Sequence, residues 1–519
     1  MAEVFLTRVA IPLVGGAALS FFIERLLQPK PGFVGRPVGA FAIHLGLWVL
    51  AFCFELVLFQ RPYFAALLAL ATLLLVIDVS NAKNHSLREP FVFQDFEYFT
   101  DALKHPRFYL PFFGIGRALL GFAAFILALY FGFTLEHSLF AQIGFLGFGT
   151  GLALLVVLGI ILLWVGTRHS LPLTFDPVKD LRSLGLLASL WCYGLAERIK
   201  PALPHASHGF ASSAIPAVGA LPNIVVVQSE SFFDVRRLYP GIHPLLLGQF
   251  DEIRKAAVKF GRLEVPAWGA STVRTEFAFL SGLGERQLGG HRFNPYRKLG
   301  RQGVPTIASF LKRAGYRTVC VHPYTARFYR RDRVFPVLGF DKFIDIRDFL
   351  DAEKCGPFIG DLAVAGKVRS LLQTLGQPTF VFVITMENHG PLHLEQVAPD
   401  DVQRFYAAPP PVGFEDLTVY LRHLSNADRM IRMLREYLEQ LPAGGWLCWY
   451  GDHVPIMPNV YQARDFSDGR TDYFIWGKGR NPEITMPADL RVEDLGGLLL
   501  EKAGLVAGNL LSVEGIPIT

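Results

Sequence analysis

At 519 residues the chain is too long for one hydrophobic core, and with charged residues at 18% and a mean hydropathy of +0.33 it is too apolar for a soluble enzyme of that length. A net charge of +5 without a dense Lys/Arg stripe argues against nucleic acid as a partner. Five cysteines without CxxC or other zinc-type spacing signal neither a cysteine metal centre nor a disulfide framework.

The apolar excess lies before Trp164. Five segments there, near Val9–Gln28, Ala40–Gln60, Tyr63–Ser80, Leu110–Phe133 and Ala141–Val165, approach the roughly 20 residues needed to cross a bilayer. They predict a five-helix transmembrane domain over residues 1–168. No cleavable signal peptide is expected, because the first stretch lacks a small-residue cleavage site. Glu55 lies within a span, and Arg117 is close enough to a helix end to snorkel. Asn81–Phe108 mixes Phe91, Phe93, Phe96, Tyr98 and Phe99 with charges, a composition suited to the headgroup layer. Residues 169–221 read as a connector. Leu181, Leu184, Leu187, Leu190 and Leu195 predict an amphipathic helix within Asp176–Lys200, suited to lying on the membrane, and Pro201–Pro222 reads as a linker.

From residue 222 to 519 the pattern changes. Short apolar runs at Ile224–Gln228, Thr318–His322, Thr379–Thr385, Trp446–Tyr450 and Tyr473–Trp476 alternate with helical stretches at Pro305–Ala314, Gly360–Leu375 and Leu417–Gln440. The alternation predicts an α/β domain, a mostly parallel central sheet covered by helices on both faces.

The residues that carry chemistry sit at the ends of these runs. Ile224–Gln228 leads into Ser229-Glu230, and Trp446–Tyr450 into Gly451-Asp452-His453. Open α/β sheets bind ligands at the carboxyl ends of their strands, and two carboxylates with an imidazole suit a divalent cation. Trp268–Phe277 reads as a small-residue turn entering a helix, with Thr272 offering a hydroxyl; a Ser/Thr helix cap explains the same string. Glu230 could equally reach solvent. His322 and His389 follow strand ends and read either as ligands or as rim histidines. Arg331 reads either as a phosphate clamp or as part of a solvated charge run.

Taken together, the strand ending in Glu230, Gly269–Phe277, His322–Phe343, Met386–Pro391, Gly451-Asp452-His453 and Phe474–Gly479 resemble the lipoteichoic acid synthase and phosphoglycerol transferase family, within the alkaline phosphatase and sulfatase superfamily. The resemblance implies that Glu230, Thr272, Asp452 and His453 hold a divalent metal, usually Mn2+, with Mg2+ or Zn2+ as alternatives. It implies that Thr272 is the nucleophile, and that His322, Tyr329, Arg331 and His389 surround the substrate phosphate. Tyr329 stands where the family has Trp, and Tyr324 where it has an acidic residue, which bears on the headgroup. The implied donor is phosphatidylglycerol, and the implied acceptor a glycan or polyglycerolphosphate. The implied place is the bacterial inner membrane, with the catalytic domain outside the cytoplasm, although Lys and Arg counts in the loops favour the opposite orientation. The competing readings are a phosphoethanolamine transferase, a superfamily hydrolase and a non-catalytic membrane sensor.

Overall fold

The computed structural model describes residues 2–32, 34–97, 115–199, 209–211, 221–442, 444–480 and 486–506. It divides into two compact units, Met1–Lys200 and Pro201–Thr519.

The first unit is helical: α1 (Ala2–Glu24), α2 (Val38–Phe59), α3 (Pro62–Leu87), α4 (Ile115–Leu135) and α5 (Leu139–Arg168). Among the described residues, α1, α2, α3 and α5 are long and apolar enough to cross a membrane. The start of the fourth expected span, at 110–114, lies outside the described residues, as do Tyr98, Phe99 and the side chain of Arg117. The expected single helix over Asp176–Lys200 is instead two, α6 (Pro177–Leu184) and α7 (Leu186–Arg198). They part at Gly185, whose φ of 79° glycine adopts at little cost. Nor is the leucine face left for a membrane surface. Leu186 and Leu190 pack with Leu27, Leu73 and Ile77, and Leu184 and Ala188 with Ala40, Ile43 and Leu163. A buried carboxylate fixes the junction: Glu24 accepts from the Leu186 N–H at 2.7 Å and from Arg36 at 2.6 Å. Most of the expected linker, Pro201–Pro222, lies outside the described residues.

The second unit is built on β1 (Asn223–Ser229), β2 (Lys259–Glu264), β3 (Arg317–Val321), β4 (Lys342–Ile344), the hairpin strands β5 (Lys354–Cys355) and β6 (Phe358–Ile359), β7 (Thr379–Ile384), β8 (Gly445–Gly451), β9 (Thr471–Gly477) and β10 (Leu490–Arg491). Eight of them form one sheet in the order β10-β2-β9-β8-β1-β7-β3-β4. Only β9 runs against the rest, pairing antiparallel with both β8 and β2. Side chains alternate between the faces, as a strand requires. Val225 and Val227 face a core with α8 (Gly248–Ala256), α12 (Asp361–Leu375) and α13 (Glu415–Gln440). Ile224 and Val226 face another with α9 (Thr272–Ser281), α10 (Ile307–Arg313), α11 (Arg331–Val337) and α14 (Val492–Lys502). Strands β1, β7 and β8 are almost wholly buried, which is why their sequences are nearly continuous apolar runs.

Candidate metal centre

Strands β1 and β8 pair in parallel with Ser229 opposite Gly451, so the residues after each, Glu230 and Asp452-His453, emerge side by side. Gly451 is required there, because a Cβ would overlap the Phe232 carbonyl oxygen. Ligand atoms of Glu230, Asp452 and His453 lie within 4.8 Å of one another, and all three residues are buried. His453 Nε2 is 3.5 Å from Glu230 Oε1 and 3.3 Å from Asp452 Oδ2. The other ring nitrogen, Nδ1, lies 3.1 Å from the Val454 carbonyl oxygen. A proton on Nδ1 donated to that carbonyl leaves the Nε2 lone pair facing the carboxylates, the tautomer a metal ligand needs.

The donor set fits a divalent cation. Burial, and then the Asp452 charge, raise the pKa of Glu230. Asp452 Oδ2 is buried and makes no hydrogen bond. Two buried carboxylates this close repel each other unless a positive charge lies between them.

Ser231 braces all three. Its backbone is left-handed, with φ 56°, and its N–H donates to Asp452 Oδ1 at 2.9 Å. The hydroxyl donates to Glu230 Oε1 at 3.1 Å and lies 3.3 Å from His453 Nδ1. The Tyr420 hydroxyl in turn donates to the Ser231 carbonyl at 2.6 Å. Ser231→Ala is therefore expected to weaken divalent-cation binding by roughly 10- to 100-fold, the usual effect of removing a partner that orients a ligand. Titration against a chelating indicator measures this, and an unchanged affinity would leave the hydroxyl without that role.

Thr272 opens α9 and is 9% exposed. Gly269 (φ 71°) and Ser271 (φ 67°) make the turn before it, and the Ser271 side chain forms no cap bond. The turn is thus a backbone device and not a side-chain cap. Thr275, one turn on, donates to the Asp452 carbonyl oxygen at 2.8 Å and ties this helix end to the cluster. Residues three apart share a helix face, so Thr272 lies above Thr275 on that side.

His322 and Arg331 form a second group. Arg331 is buried and donates to Glu276 through Nε at 3.1 Å and Nη2 at 2.7 Å, and through Nη1 to His322 Nε2 at 3.2 Å. Its guanidinium lies 5.2 Å from the centre of the Tyr329 ring. His322 Nδ1 is 3.0 Å from the Ile384 carbonyl oxygen and so carries a proton, while Nε2 accepts from Arg331, a pairing only the neutral ring can make. Burial, and then the Arg331 charge, hold its pKa well below the usual value. Burial would lower the Arg331 pKa, and the Glu276 carboxylate more than offsets that. Tyr329 (φ 54°) and Arg330 (φ 56°) are successive left-handed residues, strain of the kind found at binding loops. His389 is half-buried, with Nδ1 2.7 Å from the Gly390 carbonyl oxygen, and burial lowers its pKa. Arg331 contributes to the field on Glu230, and Asp452 to that on His389. The expected phosphate-facing residues and the expected metal ligands thus share one electrostatic neighbourhood.

Sequence reading missed Ser231, Thr275, Glu276 and Thr385, whose hydroxyl oxygen accepts from the Glu230 N–H at 2.9 Å. It also missed a buried cluster behind them. Glu387 accepts from the Asp361 N–H at 2.7 Å, from Asn426 at 2.6 Å and from His423 Nδ1 at 3.1 Å, while His423 Nε2 reaches Glu395 at 3.1 Å. Burial lowers the pKa of His423, but these carboxylates raise it from 6.5 to about 9. A protonated His423 therefore stabilises the fold fully below pH 6.5, and that stability drains away as pH rises through about 9. The shift corresponds to about 3 kcal/mol. Thermal unfolding in detergent at pH 6.5 and 9.5 is expected to show the drop, and His423→Gln to flatten it.

The sulfatase family model matches residues 222–504. The chain is 30% identical over 439 residues to the capsular polysaccharide biosynthesis protein RkpI of Rhizobium meliloti (strain 1021), covering 80% of this chain and 77% of that protein. It is 25% identical over 181 residues to lipoteichoic acid synthase 1 of Bacillus subtilis (strain 168), covering 33% of this chain and 27% of that protein. Among solved structures, it resembles the integral membrane lipooligosaccharide phosphoethanolamine transferase A of Neisseria meningitidis with a TM-score of 0.53 at 13% identity. That likeness covers 92% of this chain and 88% of the other, so the fold is shared over the apolar helices as well as the sheet.

Proposed function

The chain belongs to the sulfatase family of the alkaline phosphatase superfamily, and from that premise we propose that it is a membrane-anchored, metal-dependent phosphoglycerol transferase. It moves glycerol phosphate from phosphatidylglycerol to an extracytoplasmic glycan or polyglycerolphosphate acceptor. In this reading residues 1–168 anchor the protein in the bacterial inner membrane, 169–221 connect, and 222–519 catalyse. The observation that carries the proposal is the buried Glu230–Asp452–His453 cluster, in which two carboxylates crowd one imidazole and Asp452 Oδ2 makes no hydrogen bond, tied through Thr275 to the helix that begins at Thr272.

Glu230, Asp452, His453 and the Thr272 hydroxyl would hold the divalent ion, Mn2+ by preference. Such an ion lowers the pKa of a bound hydroxyl and offsets charge on phosphoryl oxygens. The Thr272 oxygen attacks the donor phosphorus as the bond to the diacylglycerol oxygen breaks, and the Thr272 proton ends on that departing oxygen. Phosphoglycerol is then esterified to Thr272. An acceptor hydroxyl attacks the same phosphorus, the Thr272 oxygen leaves, and the acceptor's proton returns to it overall. His389 donates Nδ1–H to the Gly390 carbonyl, which leaves Nε2 as a base for that proton. Arg331, fixed by Glu276, faces the charge that gathers on the phosphoryl oxygens.

The test is the full chain in nanodiscs with fluorescent phosphatidylglycerol and Mn2+. Release of fluorescent diacylglycerol is expected, together with a phosphoglycerol adduct on Thr272 by mass spectrometry. Release from phosphatidylethanolamine alone would favour the phosphoethanolamine reading. Release from neither lipid, with Mn2+, Mg2+ or Zn2+, would end the proposal.

A further inference from the structure

The carboxyl edge of the sheet carries apolar side chains that the mechanism does not use. The connection from β7 to α13 contains Ala407-Ala408-Pro409-Pro410-Pro411-Val412-Gly413, with no charge and no hydrogen-bonding side chain. All but the half-buried Pro410 are exposed, and Val412 is 100% exposed. A bridge between Ile242 and Tyr406, and the Ala407 N–H bond to the Gly241 carbonyl at 2.9 Å, tie this loop to the β1 connection. That connection adds Leu245, 76% exposed. The loop runs straight into α13, whose Tyr420 bonds the Ser231 carbonyl beside the candidate metal centre. At 1.5 Å per residue, the start of α13 lies about 8 Å along the helix from Tyr420.

We infer that Leu245 and the Ala407–Val412 loop form a prong that enters the boundary between headgroups and acyl chains, holding this edge of the sheet against the bilayer. The inference rests on the phosphatidylglycerol reading only for its purpose, the capture of a lipid donor. Its occupant follows from the prong's chemistry. Lipid leaves a backbone N–H without a partner, and three successive prolines have none to lose. Their fixed φ also limits the entropy lost when the loop orders in a membrane. A glycan needs hydrogen-bonding groups that the loop lacks. The chain brings a membrane with it, since among the described residues four helices are long and apolar enough to span one.

The full chain in nanodiscs decides the matter. In Val412→Trp, the fluorescence gained over the unaltered chain is expected to fall at least about twofold with lipids brominated along the acyl chains, since bromine quenches an indole only at short range. No quenching overturns the inference. The variant with both Leu245→Asp and Val412→Asp is expected to lose about tenfold in kcat/KM on long-chain phosphatidylglycerol in vesicles while keeping its rate on the water-soluble dihexanoyl lipid. An equal loss on both donors, or a change of oligomeric state in detergent that makes the patch a self-contact, also overturns it. If the unaltered chain turns over neither donor but the tryptophan is quenched, the phosphatidylglycerol reading fails and the membrane prong stands.

Discussion

Thr272→Ala is expected to reduce diacylglycerol release by roughly 10⁴-fold or more, the scale on which a nucleophile's removal is felt. The fold should not register the change. Thr272 starts α9, but the turn before it is set by the left-handed backbone of Gly269 and Ser271, with no side-chain cap bond from Ser271. Alanine is also the strongest helix former. The melting temperature should therefore move by no more than a few degrees. Thr272→Ser keeps a hydroxyl at the same atom and should retain activity within about tenfold, because only a methyl group is lost. Cation affinity should fall only in part in the alanine variant, since Glu230, Asp452 and His453 remain. Comparable turnover by Thr272→Ala and the unaltered chain would remove Thr272 from the chemistry. A collapse in melting temperature would instead make it structural.

How much of this was legible depended on burial. Strands β1, β7 and β8 are buried on both faces, so sequence must write them as apolar runs, and their last residues could be placed at one sheet edge before any coordinates. That is why Glu230 and Asp452-His453 could be matched across more than two hundred positions. Strand β2, Lys259-Phe260-Gly261-Arg262-Leu263-Glu264, is half-exposed beside the edge strand β10 and carries three charges, so no apolar pattern announces it. The reversal of β9 was equally silent, because side-chain alternation is the same in either direction. Within the connector, leucine spacing suggested one helix, while Gly185, at φ 79° and ψ 172°, made two. In the candidate site, side chains at strand ends were visible and the residues that brace them were not. Ser231 matters through a left-handed backbone and a reach to three neighbours, none of which local sequence displays. Glu276 did leave a signal: an acid in the middle of a helix whose other residues are all buried must find a buried cation. Reading Thr272–Glu276 as a cap obscured it.

Removing that acid should produce the largest loss of stability. In Glu276→Ala the buried Arg331 guanidinium would lose its hydrogen-bonded carboxylate and keep the neutral His322 and the Tyr329 ring as close neighbours. A buried ion pair broken on one side typically costs about 3–5 kcal/mol, on the order of 10 °C for a unit of this size. Tyr296 would lose the carboxylate that its hydroxyl meets as well. Activity should fall with stability, because Arg331 would turn towards solvent and away from the phosphoryl oxygens. A double replacement separates the two effects. Glu276→Leu with Arg331→Met fills similar volume without charge, and buried pairs replaced whole by apolar residues are often neutral or stabilising. The double variant should therefore melt near the unaltered chain yet stay inactive, whereas each single variant melts low. If Glu276→Ala melts normally and keeps its turnover, Arg331 has another counter-charge and is not the phosphate clamp. If the double variant keeps its activity, the guanidinium is not needed for phosphoryl transfer, and the mechanism must draw that positive charge from elsewhere.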